Sequence, residues 1–327
     1  MRRLLVLTLF LCLLAPASVG SAALRTATAL PRVGIFYYSW YSTEPRDGAY
    51  VHWTQNNRPA PFQIASNFFP ARGVYSSSDP VVLRAQMRDI RRAGVDEVIV
   101  SWWGTGSVED QRLPAVLKAA RAEHLAVALH IEPYGGRSPA SVAADVAHFR
   151  SLGIMDFYIY EPLLSPAVDW AAANVGLSGV RIFAGTGLAG FAATGRFNGV
   201  YTYDIVRYRS SSFGRLCAQA RVQHLLCAPS VGPGFDARRS TGATTVEPRR
   251  RGQTYDRMWR AALDAAPDMV TVTSYNEWHE GTQIEPASVE PRWAGYASYE
   301  GAWGRHGRAA ESAYLWRTAM WSAIFRS

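Results

Sequence analysis

The sequence predicts a single (β/α)₈ barrel. Eight apolar runs bounded by turn signals alternate with segments of helical spacing, and no linker or low-complexity tract separates a second domain. Most of the runs are continuous rather than alternating, as expected for strands covered on both faces in a parallel sheet. A doubly wound open sheet fits less well, because it usually has fewer strands and a Gly-rich turn after the first, which is absent here.

In chain order the predicted strands are 32–41 (RVGIFYYSWY), 95–103, 126–134, 156–160, 181–187, 199–204, 224–232 and 268–278 (DMVTVTSYNEW). Helical spacing covers 79–94, which opens on Asp79-Pro80 and stops at Gly94, and recurs at 108–124, 138–153, 211–223, 253–267 and 310–325. The stretch 188–198 is short and Gly-rich, so any helix there is vestigial.

The N-terminus reads differently. MRRLLVLTLFLCLLAPASVGSAA places Arg2 and Arg3 before a short apolar run and a small-residue tail, the layout of a signal peptide cut near Ala22 or Ala23. The run is short for a membrane-spanning helix, which needs roughly 20 apolar residues. The expectation is an exported protein with no stable membrane insertion, a leader over 1–23 and one domain over 24–327.

The formal charge of +8 loses two units with the leader, and Lys118 is the only lysine among the basic residues. Arg249, Arg250 and Arg251 form the one basic run; without further basic clustering it reads as a solvated loop, and nucleic acid is not an expected partner. Cys217 and Cys227 fall on a predicted helix and the following strand, and either a disulfide or two buried thiols fits them. Sequence offers no reading of the oligomeric state.

Barrel enzymes build their sites at the C-terminal ends of the strands. Those ends carry Tyr37, Tyr38, Trp40 and Tyr41; Trp102 and Trp103; His130, Glu132 and Tyr134; Tyr158 and Tyr160; Tyr201, Tyr203 and Asp204; then Asn276, Glu277, Trp278, His279 and Glu280. Aromatic faces stack on sugar C–H surfaces, and paired carboxylates perform glycoside hydrolysis, one as proton donor and one as base or nucleophile. Burial and like charge would keep one of Glu277 and Glu280 protonated near neutrality. His52, His130 and His279 lack metal-ligand spacing, and no cofactor is expected.

Eight blocks in order then resemble glycoside hydrolase family 99, the endo-α-1,2-mannosidases, from about Arg32 to Ala287: GIFYYSWY (34–41), HW (52–53), YSSSDP (75–80), AGVDEVIVSWWG (93–104), HIEPYGGR (130–137), NGVYTYD (198–204), PSVGPGFD (229–236) and SYNEWHEGTQIEPA (274–287). The resemblance implies a metal-independent retaining hydrolase of an internal α-mannosidic linkage. It implies Glu280 as acid/base and Glu277 as a second carboxylate that deprotonates the substrate 2-hydroxyl, giving a 1,2-anhydro sugar. By the same match Trp102 or Trp103 resembles a stacking platform, Glu132 and Tyr134 resemble hydroxyl ligands, and Tyr203 or Tyr201 resembles a support for the second carboxylate. Tyr38 and His279 complete the expected sugar-contacting set. Neighbouring strand residues point oppositely, so one tryptophan of the 102–103 pair must face the barrel wall.

Two segments depart from the family pattern: Glu161-Pro162 stands where an Asp more usually follows the tyrosine, and 235–252 matches loosely. Both bear on the outer subsites and so on the sugar next to the scissile mannose. A barrel hydrolase of another α-glycan, or a non-catalytic carbohydrate-binding protein, are the alternatives; the presence of both glutamates argues against the second.

Overall fold

A computed structural model describes residues 33–290 and 295–327; the predicted leader lies outside the described residues. Parallel strands run β1 (Val33–Tyr37), β2 (Glu97–Trp102), β3 (Ala126–Ile131), β4 (Asp156–Ile159), β5 (Arg181–Gly185), β6 (Gly199–Tyr201), β7 (Leu226–Ala228), β8 (Ser230–Val231) and, after a two-residue ribbon of β9 (Phe235–Asp236) and β10 (Val246–Glu247), β11 (Val270–Val272). The sheet order β7-β6-β5-β4-β3-β2-β1-β11-β8 is a ring cut between β7 and β8. Those two are halves of one predicted strand interrupted at Pro229, which has no N–H to give a ladder. β8 pairs with β11 at Ser230↔Thr271, and β7 pairs with β6 at Val200↔Cys227, so the interrupted stave completes the barrel.

Helices cover the outside: α1 (Glu44–Asp47), α2 (Pro80–Arg92), α3 (Val108–Ala122), α4 (Pro139–Ser151), α5 (Ala167–Asn174), α6 (Ala189–Thr194), α7 (Phe213–Val222), α8 (Gln253–Asp264), α9 (Arg308–Glu311) and α10 (Ala313–Arg326). Local chemistry sets several starts. The Asp79 carboxylate accepts the Val81 amide ahead of Pro80, and Ser138 and Ser141 cap each other's amides ahead of α4. α5 has no counterpart in the sequence reading; its AVDWAAAN segment buries only Trp170 and Asn174, too weak a stripe to stand out. The vestigial stretch is the short α6. No helix among the described residues is long and apolar enough to cross a membrane. Cys217 on α7 and Cys227 on β7 are joined in a disulfide.

The barrel interior is an aromatic column. Phe36 meets His130, Tyr203, Tyr201 and Tyr158 at ring separations of 4.8, 5.0, 5.9 and 6.0 Å, and Tyr158 stacks on Phe183 at 4.8 Å. At the floor Glu97 is fully buried and accepts a hydrogen bond from the Tyr158 hydroxyl, and burial raises its carboxyl well above the usual range.

One carboxylate gathers several of the contacts that dock the C-terminal helix. Asp256 on α8 takes 2.7 and 2.6 Å hydrogen bonds from Arg317 and one each from the Trp303 and Trp321 indoles. Removing one partner of a buried ion pair costs roughly 3–5 kcal/mol, because the other charge is left uncompensated. Asp256→Ala should therefore lower the free energy of unfolding, measured by chemical denaturation, by that order. An unchanged value would show that α10 is held by its other contacts, such as the Tyr255–Thr318 hydroxyl bond.

Candidate active site

Only Val270–Val272 of the predicted 268–278 strand pairs as a strand. Beyond it the chain turns back on itself. The amides of Ile284 and Glu285 donate to the Ser274 and Tyr275 carbonyls, Ser274 N–H donates to Thr282 O, and the Tyr275 amide donates to Phe36 O. The segment 274–285 is thus a closed loop stitched to the end of β1, and both glutamates ride on it.

Buried polar groups hold that loop. The Asn276 amide accepts the Tyr38 N–H at 2.8 Å and donates to the Tyr38 carbonyl at 2.8 Å, so one side chain replaces two ladder bonds. Glu285 is 0% exposed and takes hydrogen bonds from Arg72, Tyr75, Gln86 and the Trp278 indole at 2.8, 2.7, 2.9 and 3.0 Å. Its four donors come from the β1–α2 segment, α2 and the loop itself. Glu285 therefore fixes the backbone around Glu277 and Glu280 rather than facing the lumen. Gln86 is the one trace of this in sequence, a polar residue on the buried stripe of α2.

Glu277 is buried and Glu280 half-buried, and no arginine or lysine ion pair reaches either among the described residues. Glu277 Oε1 accepts the His279 backbone N–H at 3.0 Å, and its own amide donates to Ser274 Oγ. Glu280 Oε2 accepts the Tyr203 hydroxyl at 2.9 Å, and Tyr203 in turn accepts the Tyr38 hydroxyl at 2.6 Å. Burial raises Glu280 to about 7. Burial, then repulsion from Glu280, raises Glu277 well above the carboxylate range. Both carboxyls are therefore harder to ionise than a free carboxylic acid. Amide hydrogen bonds from His279 and Glu280 favour the anion at Glu277.

The structure places the other expected ligands unequally. Tyr203 bonds Glu280, not the second carboxylate, because the loop presents Glu280 toward β6. Tyr201 lies one step deeper, its hydroxyl 2.8 Å from His130 Nε2. Glu132 faces the lumen, where Oε1 accepts Ser101 Oγ at 2.8 Å and lies 2.8 Å from His130 Nδ1. Of the tryptophan pair, Trp102 is 1% exposed, gives its indole N–H to Asp110 and packs on Phe149 in the helical layer, while Trp103 is 40% exposed at the rim. Strand alternation decides between them in favour of Trp103. Tyr134 also departs from expectation: its hydroxyl bonds Asp145 at 2.5 Å and Ser141 at 2.9 Å on α4, which turns it away from the lumen. His279 hydrogen-bonds the His52 carbonyl, and His52 stacks on Trp40 at 4.4 Å, so these two histidines wall one side of the rim far from the Tyr201–His130 contact below. Burial lowers the pKa of both. Among the described residues, no cluster of three His, Cys, Asp or Glu side chains could hold a metal.

Comparison with known proteins decides the family. Residues 31–327 match the family described as Glycosyl hydrolase family 99. The chain belongs to glycosyl hydrolase family 99. As a family 99 chain it is a glycoside hydrolase, and the match extends past the sequence blocks to the C-terminal helix. Its relatives include the glycoprotein endo-alpha-1,2-mannosidase-like protein of Danio rerio, 32% identical over 78% of this chain and 71% of that protein. The glycoprotein endo-alpha-1,2-mannosidase of Rattus norvegicus is 31% identical over 78% of this chain and 68% of that protein. Among solved structures, the family 99 endo-alpha-mannosidase of Bacteroides thetaiotaomicron superposes with a TM-score of 0.79 at 28% identity, covering 90% of this chain and 97% of that one.

Gly281 follows Glu280 with φ +64°, and a Cβ there would sit 3.1 Å from the carbonyl oxygen of Asp236, whose own amide donates to Glu280 O at 2.7 Å. Gly281→Ala should push Glu280 off its line to Tyr203. Misplacements of about 1 Å cost on the order of 10²-fold in rate, so kcat should fall by that order with the melting temperature little changed; undiminished kcat would show the loop tolerates the shift.

Proposed function

We propose that this family 99 protein is an exported endo-α-1,2-mannosidase that acts with net retention through a 1,2-anhydro-sugar intermediate. The observation that carries the mechanism is the unequal surroundings of the two glutamates. Glu280 is raised to about 7 and touches a phenol, which suits a group that gives and then takes a proton. Glu277 accepts a backbone amide that opposes the rise imposed by burial and by Glu280. A carboxyl raised in this way is, once ionised, a stronger base toward a weakly acidic hydroxyl.

In the first step Glu280 gives its proton to the glycosidic oxygen while the C1–O bond breaks. Glu277 takes the proton of the substrate 2-hydroxyl, and O2 closes on C1 from the opposite face. The geometry of an α-mannoside permits this, since its axial 2-hydroxyl lies anti to the axial leaving group. Water then opens the three-membered ring at C1, losing its proton to Glu280, while O2 recovers a proton from Glu277. Two inversions give retention. Trp103 supplies an apolar face, and Glu132 and the Tyr38–Tyr203 pair supply hydroxyl contacts.

The substrate assignment is supported by the relatives described as endo-alpha-1,2-mannosidases. Export is supported by the leader pattern over 1–23 and by the Cys217–Cys227 disulfide, a bond that persists in oxidising compartments.

A panel of synthetic α-1,2-linked manno-oligosaccharides, with the first-formed product anomer read by NMR, tests substrate and stereochemistry together. The expected result is internal cleavage with the α-anomer appearing first. A β-anomer first would overturn the anhydro-sugar route, and cleavage of α-glucans alone would overturn the substrate. Glu280→Gln should lower kcat by roughly 10²–10⁴-fold; mannan binding without any released reducing ends, unchanged by this substitution, would favour a binding protein.

The acid must be protonated to work, so kcat/KM should fall as pH rises through about 7, the value to which burial lifts Glu280. The Tyr203 hydroxyl favours the Glu280 anion and so holds that value down. Tyr203→Phe should therefore move the alkaline limb to higher pH. A pH profile whose limb stays in place or moves lower would remove Glu280 from the acid role.

A further inference from the structure

The arginine run left over from the sequence reading does not lie in a featureless loop. Arg249 is spent on the structure: its guanidinium sits over Phe68, Tyr299 and Tyr314 at 4.5, 4.8 and 4.7 Å and donates to the Gly281 and Gln283 carbonyls. Arg250 is exposed instead, at φ +50°, and lines a cavity of about 630 Å³ together with Arg209, Ser210, Ser211, Glu247 and Arg257. The walls come from two rim segments, the one leaving β6 toward α7 and the one entering α8.

Charge in this cavity is one-sided. Glu247 is its single carboxylate and is already bound to Arg257 at 2.9 Å. The Arg209 and Arg250 guanidiniums have no hydrogen-bond or ion-pair partner among the described residues, and neither have the Ser210 and Ser211 hydroxyls. Exposed arginines elsewhere, such as Arg84, Arg196 and Arg215, are also unpaired among the described residues; what sets Arg209 and Arg250 apart is that they line one cavity. The 12-residue α8 also begins here at Gln253, after a Gly252 N-cap that has no side chain to occupy the first-turn amides, so the positive end of its dipole adds to the field.

We propose that this cavity binds a phosphate-type oxyanion. Two unpaired guanidiniums offer planar forks that match tetrahedral oxyanions bidentately, two hydroxyls can donate to remaining oxygens, and Arg257 neutralises Glu247 rather than leaving it to repel the ligand. The anion is either an ester carried on a glycan or the free ion. Because Arg250 follows the residue that clamps the backbone just beyond Glu280, the site lies one residue from the support of the reactive loop. Binding here is independent of the proposed mannosidase activity and can fail or succeed without it.

The test is a ³¹P NMR titration of the full protein with inorganic phosphate and, separately, with methyl α-D-mannopyranoside 6-phosphate. Both Arg209 and Arg250 are exposed, so the double variant Arg209→Gln/Arg250→Gln should fold, as circular dichroism would verify; Arg215→Gln on α7 is the control. At least one probe should show saturable line broadening by about 10 mM. Losing two charge-assisted contacts should weaken that binding by roughly tenfold or more, with the control unchanged. Tighter binding of the mannoside phosphate assigns the site to a glycan-borne ester, and tighter or equal binding of inorganic phosphate assigns it to the free ion. Absence of saturable broadening for both probes, or binding to the double variant within threefold of the unsubstituted protein, overturns the proposal.

Discussion

The fully buried Glu285 carboxylate is the interaction on which the active end of this barrel depends. β11 stops pairing at Val272, and the chain that follows has no sheet to define it. A loop with reactive carboxylates cannot be left to fluctuate, since proton transfer needs hydrogen-bond distances. Arg72, Tyr75, Gln86 and Trp278 all converge on Glu285 from separate parts of the chain. Its four hydrogen bonds satisfy a group that would otherwise be costly to bury, and in doing so they fix Trp278 between the two glutamates. Burial still lifts its pKa, with Arg72 opposing the rise. The charge is therefore structural, in contrast to the pair eight and five residues earlier.

Much of the architecture was legible because barrel strands carry their own signature. Runs such as EVIVSW are buried on every residue, and they read as continuous apolar stretches for that reason. Among the features that escaped are α5, whose apolar stripe is thin, and the break at Pro229, which splits a stave that the sequence presents as one run. Strand ends were read long because rim aromatics look like strand residues while pairing with nothing.

The site was legible in its residue types and less so in their partners. Strand parity separated Trp103 from Trp102 in principle, and the structure resolves which parity holds. The Tyr203–Glu280 bond spans 77 positions and the Arg72–Glu285 bond 213, separations at which no local pattern operates. Tyr134 shows the converse case. A strand-end tyrosine beside Glu132 invites a ligand role, yet Asp145 on the next helix has claimed its hydroxyl. Ser101, which holds Glu132, carries no signal beyond lying two residues before Trp103 on the same face.

The absence of any cation beside Glu277 and Glu280 among the described ion pairs has a consequence for the chemistry. Burial raises both carboxyls, with repulsion from Glu280 adding to the rise at Glu277, so the site resists holding two negative charges. During bond cleavage the sugar ring itself becomes positive at the anomeric carbon. In the proposed reaction the charge that develops there has the sign the two carboxyls favour, so such a site would hold the bond-breaking state better than the resting sugar.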